Sequence, residues 1–136
     1  MIFIDSSVLL ELYLDGERAR EAREILDRGE AKVASWLLLV EVPIVLRRVL
    51  SGPDDGPVLD ACLDRFDRDV EDIALVDALT DVGLRVRSDA RFARCRSLDA
   101  IHASTALLLR EWTGRPVRLA TFDRRLEELG RELYLS

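Results

Sequence analysis

The chain has 136 residues, 49% of them hydrophobic and 34% charged, with a formal net charge of −6, a composition that suits one globular domain over residues 1–136 and excludes disordered or low-complexity classes. The acidic balance excludes a protein that grips nucleic acid by bulk charge alone. No apolar run approaches the roughly 20 residues that span a bilayer, and Met1–Ile4 is too short for a signal-peptide core, so a soluble cytoplasmic protein with no membrane partner is expected.

In chain order, Met1–Ile4 is β-rich and is followed by Asp5 and by a helix over 6–14 with Val8, Leu9, Leu12 and Tyr13 at helical spacing. Asp15-Gly16 breaks that pattern. A charged helix resumes over 17–28, with Ala19, Ala22, Ile25 and Leu26 facing inward and Gly29 as its C-cap. Residues 32–35 read as a second strand, and 35–50 as an apolar segment holding Glu41 and Pro43. Proline lacks a backbone donor, so that helix either begins a few residues before Pro43 or bends there. Ser51–Pro57 is a loop, 58–68 a helix with Leu59, Cys62, Leu63 and Phe66 on one face, and 71–76 a third strand. Helical spacing follows over 77–92 and 98–109, then a fourth strand over 117–121, a helix over 123–129 and a last strand over 132–135. Strands alternating with helices imply an α/β three-layer sandwich around a central, mostly parallel sheet. Cys62 and Cys95 stand alone and suggest neither zinc nor a disulfide.

Asp5, Glu41, Asp99 and Asp123 each stand where an apolar segment meets a helix. A parallel sheet gathers such positions at its carboxyl edge, where α/β folds bind ligands. Taken singly, Asp5, Asp99 and Asp123 also read as helix caps or first-turn acids, each worth about 0.3–1 kcal/mol and needing no other purpose. Glu41, between Trp36–Val40 and Val42–Leu46, has little solvent face in sequence; a partner such as Arg47 or Arg48 is the structural explanation and a metal the better one. Acids crowded in one crevice call for a hard cation such as Mg²⁺ or Mn²⁺.

The ordered segments Ile-Phe-Ile-Asp-Ser-Ser-Val-Leu-Leu, Leu-Leu-Leu-Val-Glu-Val-Pro, Arg-Ser-Leu-Asp-Ala-Ile-His-Ala-Ser-Thr-Ala-Leu and Thr-Phe-Asp-Arg-Arg-Leu closely resemble the PIN domain, and within it the VapC ribonuclease toxins of prokaryotic toxin–antitoxin pairs. The resemblance implies a metal-dependent endoribonuclease in which Asp5, Glu41, Asp99 and Asp123 hold one or two Mg²⁺ or Mn²⁺ ions. Such ions activate water for in-line attack on a phosphodiester, leaving 5′-phosphate and 3′-hydroxyl ends. It further implies Ser6 and Thr121 as hydroxyls near the metal, a VapB-type antitoxin lying over the site, and a toxin homodimer.

Residues 1–84 carry 9 Lys/Arg against 19 Asp/Glu, while 85–136 carry 11 Arg against 7 acids, so an anionic polymer still meets a basic face. Arg94, Arg96, Arg124 and Arg125, nearest in sequence to two of the acids, are the candidates for the RNA backbone, although solvated surface explains them equally well. His102, one helical turn after Asp99, reads first as structural. Rival phosphoryl-transfer folds fit poorly: a receiver domain needs paired acids and a late-strand lysine, whereas Lys32 is the only lysine. A haloacid-dehalogenase-type phosphatase needs Asp-x-Asp where this chain has Asp5-Ser6-Ser7. The remaining alternative is a silent PIN-like module that binds RNA or a partner without cutting.

Overall fold

A computed structural model describes residues 1–135. Four strands, β1 (Ile2–Ile4), β2 (Lys32–Ser35), β3 (Ile73–Val76) and β4 (Arg118–Ala120), form one all-parallel sheet in the order β3-β2-β1-β4. Seven helices flank it: α1 (Ser6–Tyr13), α2 (Ala19–Leu26), α3 (Leu38–Val49), α4 (Gly56–Glu71), α5 (Leu79–Ser88), α6 (Ser97–Thr113) and α7 (Arg124–Glu132), with a 3₁₀ turn at Ala90–Arg94. Among the described residues no helix is long and apolar enough to cross a membrane.

Strand side chains alternate between faces, and this splits the core in two. Ile2, Ile4 and Ala34 pack with Val8, Leu9, Leu12, Leu38, Val42, Leu46 and Phe66 from α1, α3 and α4. Phe3 and Val33 pack on the opposite face with Ala103, Ala106 and Leu107 of α6 and with Leu126 and Leu129 of α7. All three residues of β1 are fully buried, as a central parallel strand covered on both faces must be. The chain steps from β1 to β2 and β3 on one side and places β4 on the other, so the sheet's topological switch lies between β1 and β4. Their register sets Ile4 opposite Ala120, which brings the two following segments, Asp5 onward and Thr121 onward, side by side.

The structure departs from the sequence reading at the C-terminal segment and at the C-cap of α2. No strand forms over 132–135: α7 runs to Glu132, Tyr134 takes a positive φ of 57°, and Leu119 N–H of β4 donates to the Leu135 carbonyl without a ladder. Leu133 and Leu135 are nonetheless buried, which explains the strand-like alternation. Gly29 does not cap α2, whose C-cap is Asp27; the left-handed glycine cap is Gly114, φ 64°, closing α6. In α3, Pro43 is the sixth residue, and the Leu39 carbonyl it leaves without a donor belongs to an exposed residue.

The surroundings of Glu41 also differ from expectation. Leu39, Val40 and Ile44 are exposed, so α3 is apolar on its solvent side as well as its core side. Leu46 is fully buried and Ile44 about half exposed on the same helix. Leu46→Ala is therefore expected to cost about 2–5 kcal/mol in urea unfolding and Ile44→Ala within about 0.5 kcal/mol, the split between a core cavity and a surface truncation. Equal losses would mean that α3 is turned differently.

Candidate functional site

The four acids line one open cavity of about 290 Å³ at the carboxyl edge of the sheet, together with Ser6, Ser7, Leu98, Arg96 and His102. Each arrives on a helix start. Asp5 follows β1 and is the N-cap of α1, Asp123 follows β4 and is the N-cap of α7, and Glu41 and Asp99 lie in the first turns of α3 and α6. Four helix N-termini therefore turn their partial positive charge toward the same crevice, which offsets part of the mutual repulsion of the acids.

Hydrogen bonds fix three of the four carboxylates. Asp5 Oδ2 accepts from Ser7 N at 3.2 Å, Ser7 Oγ at 2.5 Å and Thr121 Oγ1 at 2.9 Å. Each hydroxyl in turn accepts a backbone amide from the loop after β4: Phe122 N donates to Ser7 Oγ at 2.8 Å and Asp123 N to Thr121 Oγ1 at 3.0 Å. Asp123 Oδ1 accepts from Arg125 N and Leu126 N at 2.8 and 3.1 Å. Glu41 Oε2 meets His102 Nε2 at 2.6 Å, and Asp5 Oδ1 lies 3.7 Å from the same nitrogen. Asp99 has no such holder, and its Oδ2 is buried without any hydrogen-bond partner.

These placements extend the sequence reading and correct it at the partner of Glu41. Thr121 meets Asp5 directly, but the serine hydroxyl that does so is Ser7; Ser6 lines the cavity. The partner of Glu41 is His102 of α6, and neither Arg47 nor Arg48 pairs with it. Sequence reading underweighted His102, and the available signal was its place on the same helical face as Asp99. Arg96 lines the acid cavity, while Arg94 and Arg125 line an adjoining cavity of about 260 Å³ that has Asp99 as a shared wall. None of these three forms an ion pair among the described residues, whereas Arg124 pairs with Glu128 at 3.1 Å and Arg91 with Asp89.

The electrostatics follow the burial. Burial, then the charges of Asp123 and Asp5, push the Asp99 carboxyl above its ordinary range, with Arg96 and His102 acting against them. Burial alone would lower the His102 imidazole, but the Glu41 hydrogen bond and the charges of Asp5, Glu41 and Asp99 outweigh it and raise the group.

The donor set suits a hard divalent cation, because it consists of carboxylate oxygens. Asp5 Oδ1, Glu41 Oε1, Asp123 Oδ2 and both Asp99 oxygens take no hydrogen bond, so every acid keeps a donor atom free. The orphaned Asp99 Oδ2 is the sharpest sign of fit, since a buried anionic oxygen without a partner needs one. No three Asp, Glu, His or Cys side chains among the described residues are already closed around one point.

The family model described as "PIN domain" matches residues 2–132, and the chain belongs to that family. PIN domains are generally nucleases. No curated protein matches the chain.

Asp99 gives a stability prediction. A carboxyl raised by folding holds its proton more tightly in the folded than in the unfolded state, so its ionisation destabilises the fold above the raised value and has no effect below the ordinary one of about 3.9. In EDTA at neutral pH, Asp99→Asn is expected to melt above the parent protein. That advantage should shrink as pH falls through the raised value and be gone below the ordinary one; equal melting at neutral pH would show that Asp99 carries no such penalty.

Proposed function

We propose that this PIN domain is a Mg²⁺- or Mn²⁺-dependent endoribonuclease that acts as the toxin of a toxin–antitoxin pair. The observation that carries the reading is the meeting of Asp5, Glu41, Asp99 and Asp123 in one cavity, each with a free oxygen and one of them buried without a partner. These four residues would hold the cation. When bound, it would supply activation of water and neutralisation of charge on the phosphodiester.

The chain's own groups do the rest. Ser7 and Thr121 keep Asp5 Oδ1 turned to the cavity by occupying Oδ2. The N-cap amides of α7 do the same for Asp123. Arg96 beside the acids, and Arg94 and Arg125 in the adjoining cavity, offer unpaired guanidinium groups to phosphates on one side of the scissile position. Arg124, paired with Glu128 on the surface, lines neither cavity.

The toxin reading adds a VapB-type antitoxin and a homodimer. Support for a covering partner comes from Leu39, Val40 and Ile44, exposed on the helix that carries Glu41, and from Leu98, half exposed at the cavity wall. An apolar segment has a place to lie beside the acids there.

Antitoxin-free protein is expected to cut total cellular RNA at discrete sites with Mg²⁺ or Mn²⁺ and not in EDTA. Asp5→Ala should lower the rate on the order of 10²–10³-fold, the several kcal/mol that a lost ligand to such a cation represents. Binding of RNA without metal-dependent cutting would move the reading to a silent binding module. In an Asp5→Ala background, the Arg94→Ala/Arg125→Ala pair should weaken RNA binding across sequences and reduce the salt slope of log K by roughly 0.7 per arginine. An unchanged slope would remove both residues from the phosphate path.

A further inference from the structure

We infer that His102 is a positioning residue whose Nε2–H holds the Glu41 carboxylate in the orientation that binds the divalent cation. The inference rests on the metal reading of the four-acid cavity and concerns a residue that the reading itself does not need.

The imidazole is almost wholly inaccessible, at 1% exposure, on the face of α6 that packs on the sheet beside Phe3. Its Nδ1 is buried with no hydrogen-bond partner among the described residues, and its Nε2 lies 2.6 Å from Glu41 Oε2 and 3.7 Å from Asp5 Oδ1. A histidine kept for the core alone pairs both nitrogens with backbone or hydroxyl groups. This one directs its single hydrogen bond at the site. Carboxylate oxygens only accept, so Nε2 carries a proton and donates it to Glu41 Oε2.

The other acids show what the arrangement does. Asp5 is held through Oδ2 by Ser7 and Thr121, and Asp123 through Oδ1 by two helix amides. Glu41 has a longer, freer side chain, reaches the cavity from mid-turn on α3, and has no amide or hydroxyl on it. His102 fills that role from across the site, occupying Oε2 and leaving Oε1 toward the cavity. Fixing the rotamer before binding removes its entropy cost from the binding step. The outer partner that orients a metal ligand typically affects metal affinity by 10–100-fold.

The test compares reach, with Mn²⁺ as the probe. The amide nitrogen of glutamine can take the place of Nε2, whereas that of asparagine stops near Nδ1. Calorimetric titration of Mn²⁺ into the full chain should give His102→Gln within about threefold of the parent protein and His102→Asn weaker by roughly 10–100-fold. Circular dichroism and melting in EDTA establish that both are folded. If His102→Asn does not fold, His102→Leu, which fills the space without a donor, takes its place with the same expectation. Gln and Asn variants that bind alike, whether at parental strength or equally weakened, overturn the inference. A parent protein that binds no Mn²⁺ overturns the metal reading, and the role of His102 falls with it.

Discussion

Four carboxylates converging on one crevice repel one another, and the architecture around the sheet's carboxyl edge can be understood as the means of keeping them there. The N-termini of α1, α3, α6 and α7 supply partial positive charge, two hydroxyls and three backbone amides donate hydrogen bonds, and His102 adds a sixth donor. Compensation is incomplete at Asp99, whose carboxyl is raised and whose Oδ2 has no partner. A half-compensated acid cluster is costly as pure structure, because burying an unpaired polar oxygen costs about 1–3 kcal/mol with nothing gained in return. A cation removes the cost, which is why the imbalance argues for a binding site more strongly than the count of acids does.

Rigidity at the site comes from how deeply its supports are buried. Asp5 follows directly on a strand with no exposed residue, and α6 buries eight of its residues, His102 among them. Glu41 stands on a helix that is firmly packed through Leu38, Val42 and Leu46 but apolar on its outer side too. The two sides of α3 therefore differ: the inner one packs into the core, and the outer one carries Leu39, Val40 and Ile44 to the surface.

Much of this was legible in the sequence, for identifiable reasons. Asp5 and Asp123 follow short β-rich runs and precede helical spacing, a local signal that needs no knowledge of tertiary contacts. Strand and helix order gave the parallel sheet, because hydrophobic period survives in a single sequence. What a single sequence does not carry depends on register and on pairs distant in the chain. Ser6 and Ser7 are equivalent by sequence, and only the pairing of Ile4 with Ala120 brings the Ser7 hydroxyl to the β4 loop. His102 sits 61 residues from Glu41, so its face could be read from Asp99 but its partner could not. Glu41 does have little solvent face, its side chain being 16% exposed, but Leu39, Val40 and Ile44 are exposed and do not supply the cover. The alternation over 132–135 was real burial without strand pairing.

The uneven charge along the chain acquires a meaning once the topology is known. Asp5 and Glu41 come from the acidic first part, Asp99 and Asp123 from the arginine-rich remainder, and placing β4 beside β1 brings the two parts together at the cavity. The arginines that travel with Asp99 and Asp123 are consequently grouped on one flank: Arg96 in the acid cavity, Arg94 and Arg125 in the cavity behind Asp99. An anionic polymer approaching this edge meets repulsion from the acids and attraction from that flank at once. Net charge averaged over the whole chain hides this arrangement, since a field that is negative overall can still be positive along the path a phosphate backbone takes. Filling the acid cavity with a divalent cation would reverse the repulsive half while leaving the attractive half unchanged, so the same ion that completes the carboxylate cluster would also complete a continuous surface for phosphates.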